Sequence, residues 1–187
     1  MRQWTGSMTL GLMLALSALG VGVADAQGVA DSSQRVDAKW LTVEHHKKTV
    51  KVTFQLIAGL TGLNGAHNFN GFGDGALTLT VPRGALVVMA FRNNDTTQSH
   101  SAEVIPNVSP VPTGPVAPVF ARAFTVRLEE GLPPQGQDTL RFVADREGAY
   151  LIVCGVPGHS TQGMWIRFQV ADKASQPSLA QTPPTKP

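Results

Sequence analysis

The 187-residue sequence has a single cysteine, so no disulfide can form within the chain and a disulfide-stapled scaffold is excluded. It is also poor in charge. Asp, Glu, Lys and Arg make up 15% of the residues, and 15 cations against 13 anions leave a formal net charge of +2. So slight an excess does not hold nucleic acid on a surface. There is no internal repeat, and the 19 glycines and 13 prolines follow no triplet period, which excludes a collagen-like chain. Gly71–Gly75 lacks the Lys-Ser/Thr of a phosphate-binding loop, and no helix pattern follows it. What is present is 42% hydrophobic residues, enough to exclude a wholly disordered chain, in a length that suits one domain with tails.

The N-terminus reads as an address. Arg2 precedes an uncharged apolar run, Met8–Val23, and Ala24-Asp25-Ala26 is a small-x-small cleavage signature. Together they predict a signal peptide over residues 1–26 and a periplasmic or otherwise extracytoplasmic location. The apolar run is short for a bilayer span of about 17–25 residues, so membrane association follows only if the leader stays uncleaved. Export makes the leftover thiol, Cys154, a question: it is buried and inert, pairs with another chain, or has a chemical role.

Beyond a polar lead-in (27–37), the apolar pattern has period two. Val50, Val52, Phe54 and Leu56 alternate with polar residues, as do Leu77, Leu79 and Val81, then Phe124, Val126 and Leu128, then Leu140 and Phe142, then Met164, Ile166, Phe168 and Val170. Leu86–Phe91 and Ala149–Val153 are more uniformly apolar, as in strands buried on both faces. No convincing amphipathic helix interrupts them. About eight or nine short strands with Gly/Pro turns predict an all-β sandwich or barrel over residues 38–171. Residues 106–118 are proline-rich and patternless. Residues 172–187 have four prolines and almost no bulky apolar residue, which predicts a disordered tail.

One loop carries chemistry. Cys154-Gly-Val-Pro-Gly-His159-Ser-Thr-Gln-Gly-Met164 spaces a thiol, an imidazole and a thioether at five-residue intervals between two strands. Soft sulfur donors with imidazole suit copper, and a trigonal His₂Cys set with a weak axial Met is the blue-copper arrangement. The missing histidine is best supplied by His100, at the end of a polar loop where a strand begins. His45 and His46 flank a hairpin turn and read as solvated, whereas His67, in a Gly-rich loop, is the remaining histidine that could approach the site.

On these residues the sequence resembles the cupredoxins, specifically the sulfocyanin-like small blue copper proteins. The Cys-x4-His-x4-Met loop is of the rusticyanin type, and His67-Asn-Phe-Asn-Gly71 followed by Leu77-Thr-Leu-Thr-Val-Pro82 resembles the Asn-Phe-Asn-Gly segment of sulfocyanins. The resemblance implies a Greek-key β-sandwich of about eight strands holding one type 1 copper. His100, Cys154 and His159 would be its equatorial ligands and Met164 its axial ligand. It further implies single-electron transfer between redox proteins such as c-type cytochromes, oxidases or copper enzymes. Ser101 stands where many relatives have Asn, a position that ties the two ligand loops together.

Other functions fit less well. Multicopper oxidases link their sites through a His-Cys-His triplet, but Cys154 lies between Val153 and Gly155, and no second histidine cluster is evident. Copper storage or delivery favours Met- and His-rich tracts, which this chain lacks. A nucleophilic cysteine needs a partner base, and no such pattern appears. The expectation is therefore a carrier and not an enzyme, with no evident small-molecule substrate.

Overall fold

The computed structural model describes residues 35–184, with Met1 and Gln3, and residues 35–184 belong to one compact unit. The leader expected over 1–26, apart from those two residues, and most of the lead-in lie outside the described residues.

Among the described residues, nine strands form two sheets: β1 (Leu41–His46), β2 (Thr49–Ala58), β3 (Leu77–Pro82), β4 (Ala85–Asn93), β5 (Glu103–Pro106), β6 (Gln137–Ala144), β7 (Gly148–Val153), β8 (Trp165–Ala171) and β9 (Ser178–Gln181). The first sheet has the order β1-β2-β4-β6 and the second β5-β7-β8-β3-β9. Neighbours are antiparallel except β2 with β4 and β3 with β8. Among the described residues the helical elements are short 3₁₀ turns.

The alternation read from sequence sets the inner faces. Val52, Phe54 and Leu56 of β2, Leu77, Leu79 and Val81 of β3, and Ile166, Phe168 and Val170 of β8 are all buried in one core. Phe120, from the long connection after β5, stacks on Phe142 with centroids 5.2 Å apart, and Phe142 meets Phe168 edge-on at 5.9 Å. The C-terminal half of β7, Leu151–Val153, is buried on both faces, whereas Ala149 is exposed. Ile152 faces the main core, and Leu151 and Val153 face a second cluster with Ile105, Val111 and Trp165. Val111 belongs to the proline-rich segment, which therefore covers the outer side of the second sheet.

Two expectations are corrected. Phe124, Val126 and Leu128 form no strand. The buried residue there is Thr125, whose N–H donates to Ala102 O at 2.9 Å, while Phe124 and Val126 are exposed. Arg127, with a φ of 52°, turns the chain out of extended geometry. The tail is also not uniformly disordered. β9 pairs antiparallel with β3, setting Leu179 opposite Leu79, and Thr182 N–H donates to Ala76 O at 2.9 Å. Without it, β3 would be an edge strand with unpaired backbone groups. Backbone pairing orders a segment whose side chains alone could not.

Candidate metal centre

The elements deliver their ends to one place. β7 ends at Val153, so Cys154 is the first residue beyond it, and Met164 immediately precedes β8. The loop between them is closed by its own backbone: Cys154 N–H donates to Met164 O at 3.1 Å, and Met164 N–H to His159 O at 3.0 Å. Gly163 makes the closure possible. Its φ is 94°, and a Cβ there would fall 2.3 Å from Asn64 Nδ2. His100 is pinned from the other side by paired backbone bonds with Leu132, at 3.1 and 2.8 Å.

The result brings a thiol and two imidazoles together. One donor atom each from His100, Cys154 and His159 lies within 4.8 Å of the others. The two histidines face each other through Nδ1, 3.2 Å apart, and Cys154 Sγ is 3.7 Å from His159 Nδ1. His100 and Cys154 are buried and His159 is half-buried. Met164 is fully buried at the same end of the core. Ser101 does tie the loops together. Its N–H donates to Cys154 Sγ at 3.4 Å, and its hydroxyl donates to Leu128 O at 2.7 Å and accepts from Gly155 N–H at 3.0 Å.

The electrostatics prepare the site for a cation. Burial pushes the Cys154 thiol up against the opposing pull of the Ser101 hydrogen bonds, so an uncompensated thiolate is disfavoured there. A bound cation supplies the missing compensation. Burial also lowers His100, and burial followed by the neighbouring His67 and His100 lowers His159 to about 4. Both imidazoles are thus neutral at pH 7 with lone pairs available. One thiol and two neutral imidazoles form a donor set that fits copper.

Several site features were not foreseen. The proline-rich segment buttresses the loop on both sides of His159: Gly158 N–H donates to Thr113 O at 2.7 Å and the Ser160 hydroxyl donates to Pro112 O. Asp95 lies beneath His100, its Oδ2 3.0 Å from His100 Nε2. Burial works to raise the Asp95 carboxyl, yet hydrogen bonds from Thr97, His100 and Gln98 together hold it well below the usual carboxylate range. In sequence it is one polar residue in a polar loop, with no signal to separate it from a solvated one. His67 does approach: its ring centroid is 4.2 Å from that of His159 and 6.1 Å from that of His100. His45 and His46 are exposed on β1, away from the cluster.

Comparison with known proteins agrees with this geometry. The profile of a family described as the sulfocyanin (SoxE) domain matches residues 37–126 and 130–180, well over half of the chain. A sulfocyanin from Sulfolobus acidocaldarius is 26% identical over 140 residues, covering 70% of this chain and 67% of that protein. Rusticyanin from Thiobacillus ferrooxidans superposes with a TM-score of 0.52 at 25% identity, over 71% of this chain and 88% of that one. A second rusticyanin structure, described as that of a copper protein, gives 0.51 at 24% identity, over 71% and 89%.

Proposed function

The chain belongs to the sulfocyanin domain family of cupredoxins, and on that premise we propose that it is an exported single-electron carrier holding one type 1 copper. His100, Cys154 and His159, with Met164 beside them, would hold the metal in this reading. The observation that carries it is the convergence of three donors from two separate loops within 4.8 Å, at a buried end of the sandwich.

Copper held by these residues would supply a one-electron redox couple between partner proteins. The chain's own residues keep the donors in place through that cycle. The loop closures at Cys154 and Met164, the Ser101 bridge and the Pro112–Thr113 buttress each limit how far a ligand can move. Burial of His100, Cys154 and Met164 excludes water from the donor atoms. His159, half-buried, is the ligand with an edge toward the surface and so the natural point of electron exit. Cupredoxins are generally electron carriers, which favours partners among c-type cytochromes, oxidases or copper enzymes over a small-molecule substrate. The Arg2, Met8–Val23 and Ala24-Asp25-Ala26 signature supports export to the periplasm or beyond.

Titrating the purified protein with Cu(II) tests the ligand set. One equivalent should produce an intense blue thiolate-to-copper absorption, and Cys154→Ser should abolish it. A colourless protein, or colour that survives Cys154→Ser, overturns the type 1 assignment.

A further inference from the structure

Asp95 is a buried carboxylate whose acceptor capacity is divided between two tasks. Its Oδ1 accepts from Thr97 N–H at 2.8 Å, Thr97 Oγ1 at 3.0 Å and Gln98 N–H at 3.3 Å, closing its own loop. Its Oδ2 faces His100 Nε2 at 3.0 Å and Gln98 Nε2 at 3.4 Å. The carboxylate cannot rotate away from this arrangement without breaking the loop bonds. Its backbone is also held close to Gly59, where a Cβ would come 2.8 Å from Asp95 Cβ. An ionised carboxylate only accepts hydrogen bonds, so the contact requires the His100 proton to sit on Nε2. Nδ1, 3.2 Å from His159 Nδ1, then carries the ring's lone pair.

The same network reaches the second histidine. Gln98 Nε2 donates to Gly65 O at 3.0 Å as well as to Asp95, so its Oε1 is the end that meets His67 Nε2, at 3.2 Å. That contact puts a proton on His67 Nε2 and leaves His67 Nδ1 as a buried nitrogen without a partner. The ring so oriented lies against His159, with centroids 4.2 Å apart.

We propose that Asp95, Gln98 and His67 form one positioning framework that presets both histidines of the metal centre: Asp95 selects the His100 tautomer that leaves Nδ1 free, and His67, oriented by Gln98, forms a wall against the His159 ring. The proposal rests on His100 and His159 being ligands. Partners of this kind typically carry a 10–100-fold share of metal affinity.

The Asp95→Asn variant separates positioning from simple loop closure. Asn Oδ1 can still accept from Thr97 and Gln98, but its NH₂ then faces His100 Nε2 and favours the tautomer protonated on Nδ1. The same substitution of an orienting Asp misdirects the histidine tautomer in the serine protease triad. Ring-nitrogen NMR of the metal-free protein at pH 7 should show His100 protonated on Nε2 in the wild type and on Nδ1 in Asp95→Asn. Copper affinity should fall about 10–100-fold in Asp95→Asn, and measurably in His67→Ala. A wild-type His100 protonated on Nδ1 overturns the proposal even if no variant folds. Wild-type copper affinity in Asp95→Asn overturns the Asp95 role, and wild-type affinity in His67→Ala removes His67 from the framework. The tautomer is read without metal, so it stands apart from the ligand assignment. Failure of that assignment would instead appear as copper bound to the wild type without thiolate-to-copper absorption.

Discussion

The ionisable residues nearest the site pull stability in opposite directions with pH. His100 and His159 have pKa values lowered by burial, His159 to about 4 from an ordinary 6.5. Below that ordinary value the unfolded chain binds protons that the folded chain does not, so their contribution is complete above pH 6.5 and is lost as pH falls, for His159 through about 4. Glu103 runs the other way. It is fully buried, its Oε2 has no partner, and burial raises it to about 7, against which the bond from Val116 N–H works. The folded state keeps a proton that the unfolded state releases above about 4.5, so its contribution is present at low pH and lost as pH rises through 7. Glu103→Gln should therefore steepen the rise in metal-free stability between pH 4 and 6.5 and be more stable than the wild type at pH 8. Urea denaturation across that range measures it, and identical pH profiles for the two proteins would contradict it. Residue chemistry was the most legible level in the sequence: the donor types and their five-residue spacing needed no fold to be recognised. Asp95, Gln98 and Glu103 were not legible, because a polar residue's burial depends on what distant segments pack over it.

At the scale of elements, the strands were readable wherever one face is apolar and the other polar, as in β2 and β8. The pattern misled where the partner's geometry overruled it. Thr125 turns inward because it pairs with Ala102 through its backbone and hydroxyl, leaving Phe124 and Val126 outside. β9 was hidden because its stabilisation comes from the edge of β3 and not from its own side chains. Beyond Pro106, the last residue of β5, the proline-rich segment had no readable pattern, since it pairs in no sheet, yet it both fills the outer cluster through Val111 and braces the ligand loop through Pro112 and Thr113. Val111→Ala removes two buried methyl groups and should cost about 1–2 kcal/mol in urea denaturation. It should also speed hydrogen exchange at the Gly158 amide, which is bonded to Thr113 O. If Gly158 exchange is unchanged while stability falls, the segment covers the sheet without bracing the loop.

For the whole molecule, the parallel pairing of β2 with β4 and of β3 with β8 means that the ends of several strands meet at one pole of the sandwich. β4 leads into the loop of Asp95 and His100, β7 into Cys154, and the ligand loop returns into β8. The turns bearing Lys47, Lys48 and Arg83 lie at the other ends of these strands. The fold thus sets the metal pole opposite the turns that carry these three cations. We propose that His100, Cys154 and His159 together bind a single copper. X-ray absorption at the copper edge of the protein loaded with one equivalent tests it most directly. The expected result is two imidazole nitrogens and one short sulfur around the metal, with the sulfur lost in Cys154→Ser. Coordination by nitrogen and oxygen alone in the wild-type protein would contradict it.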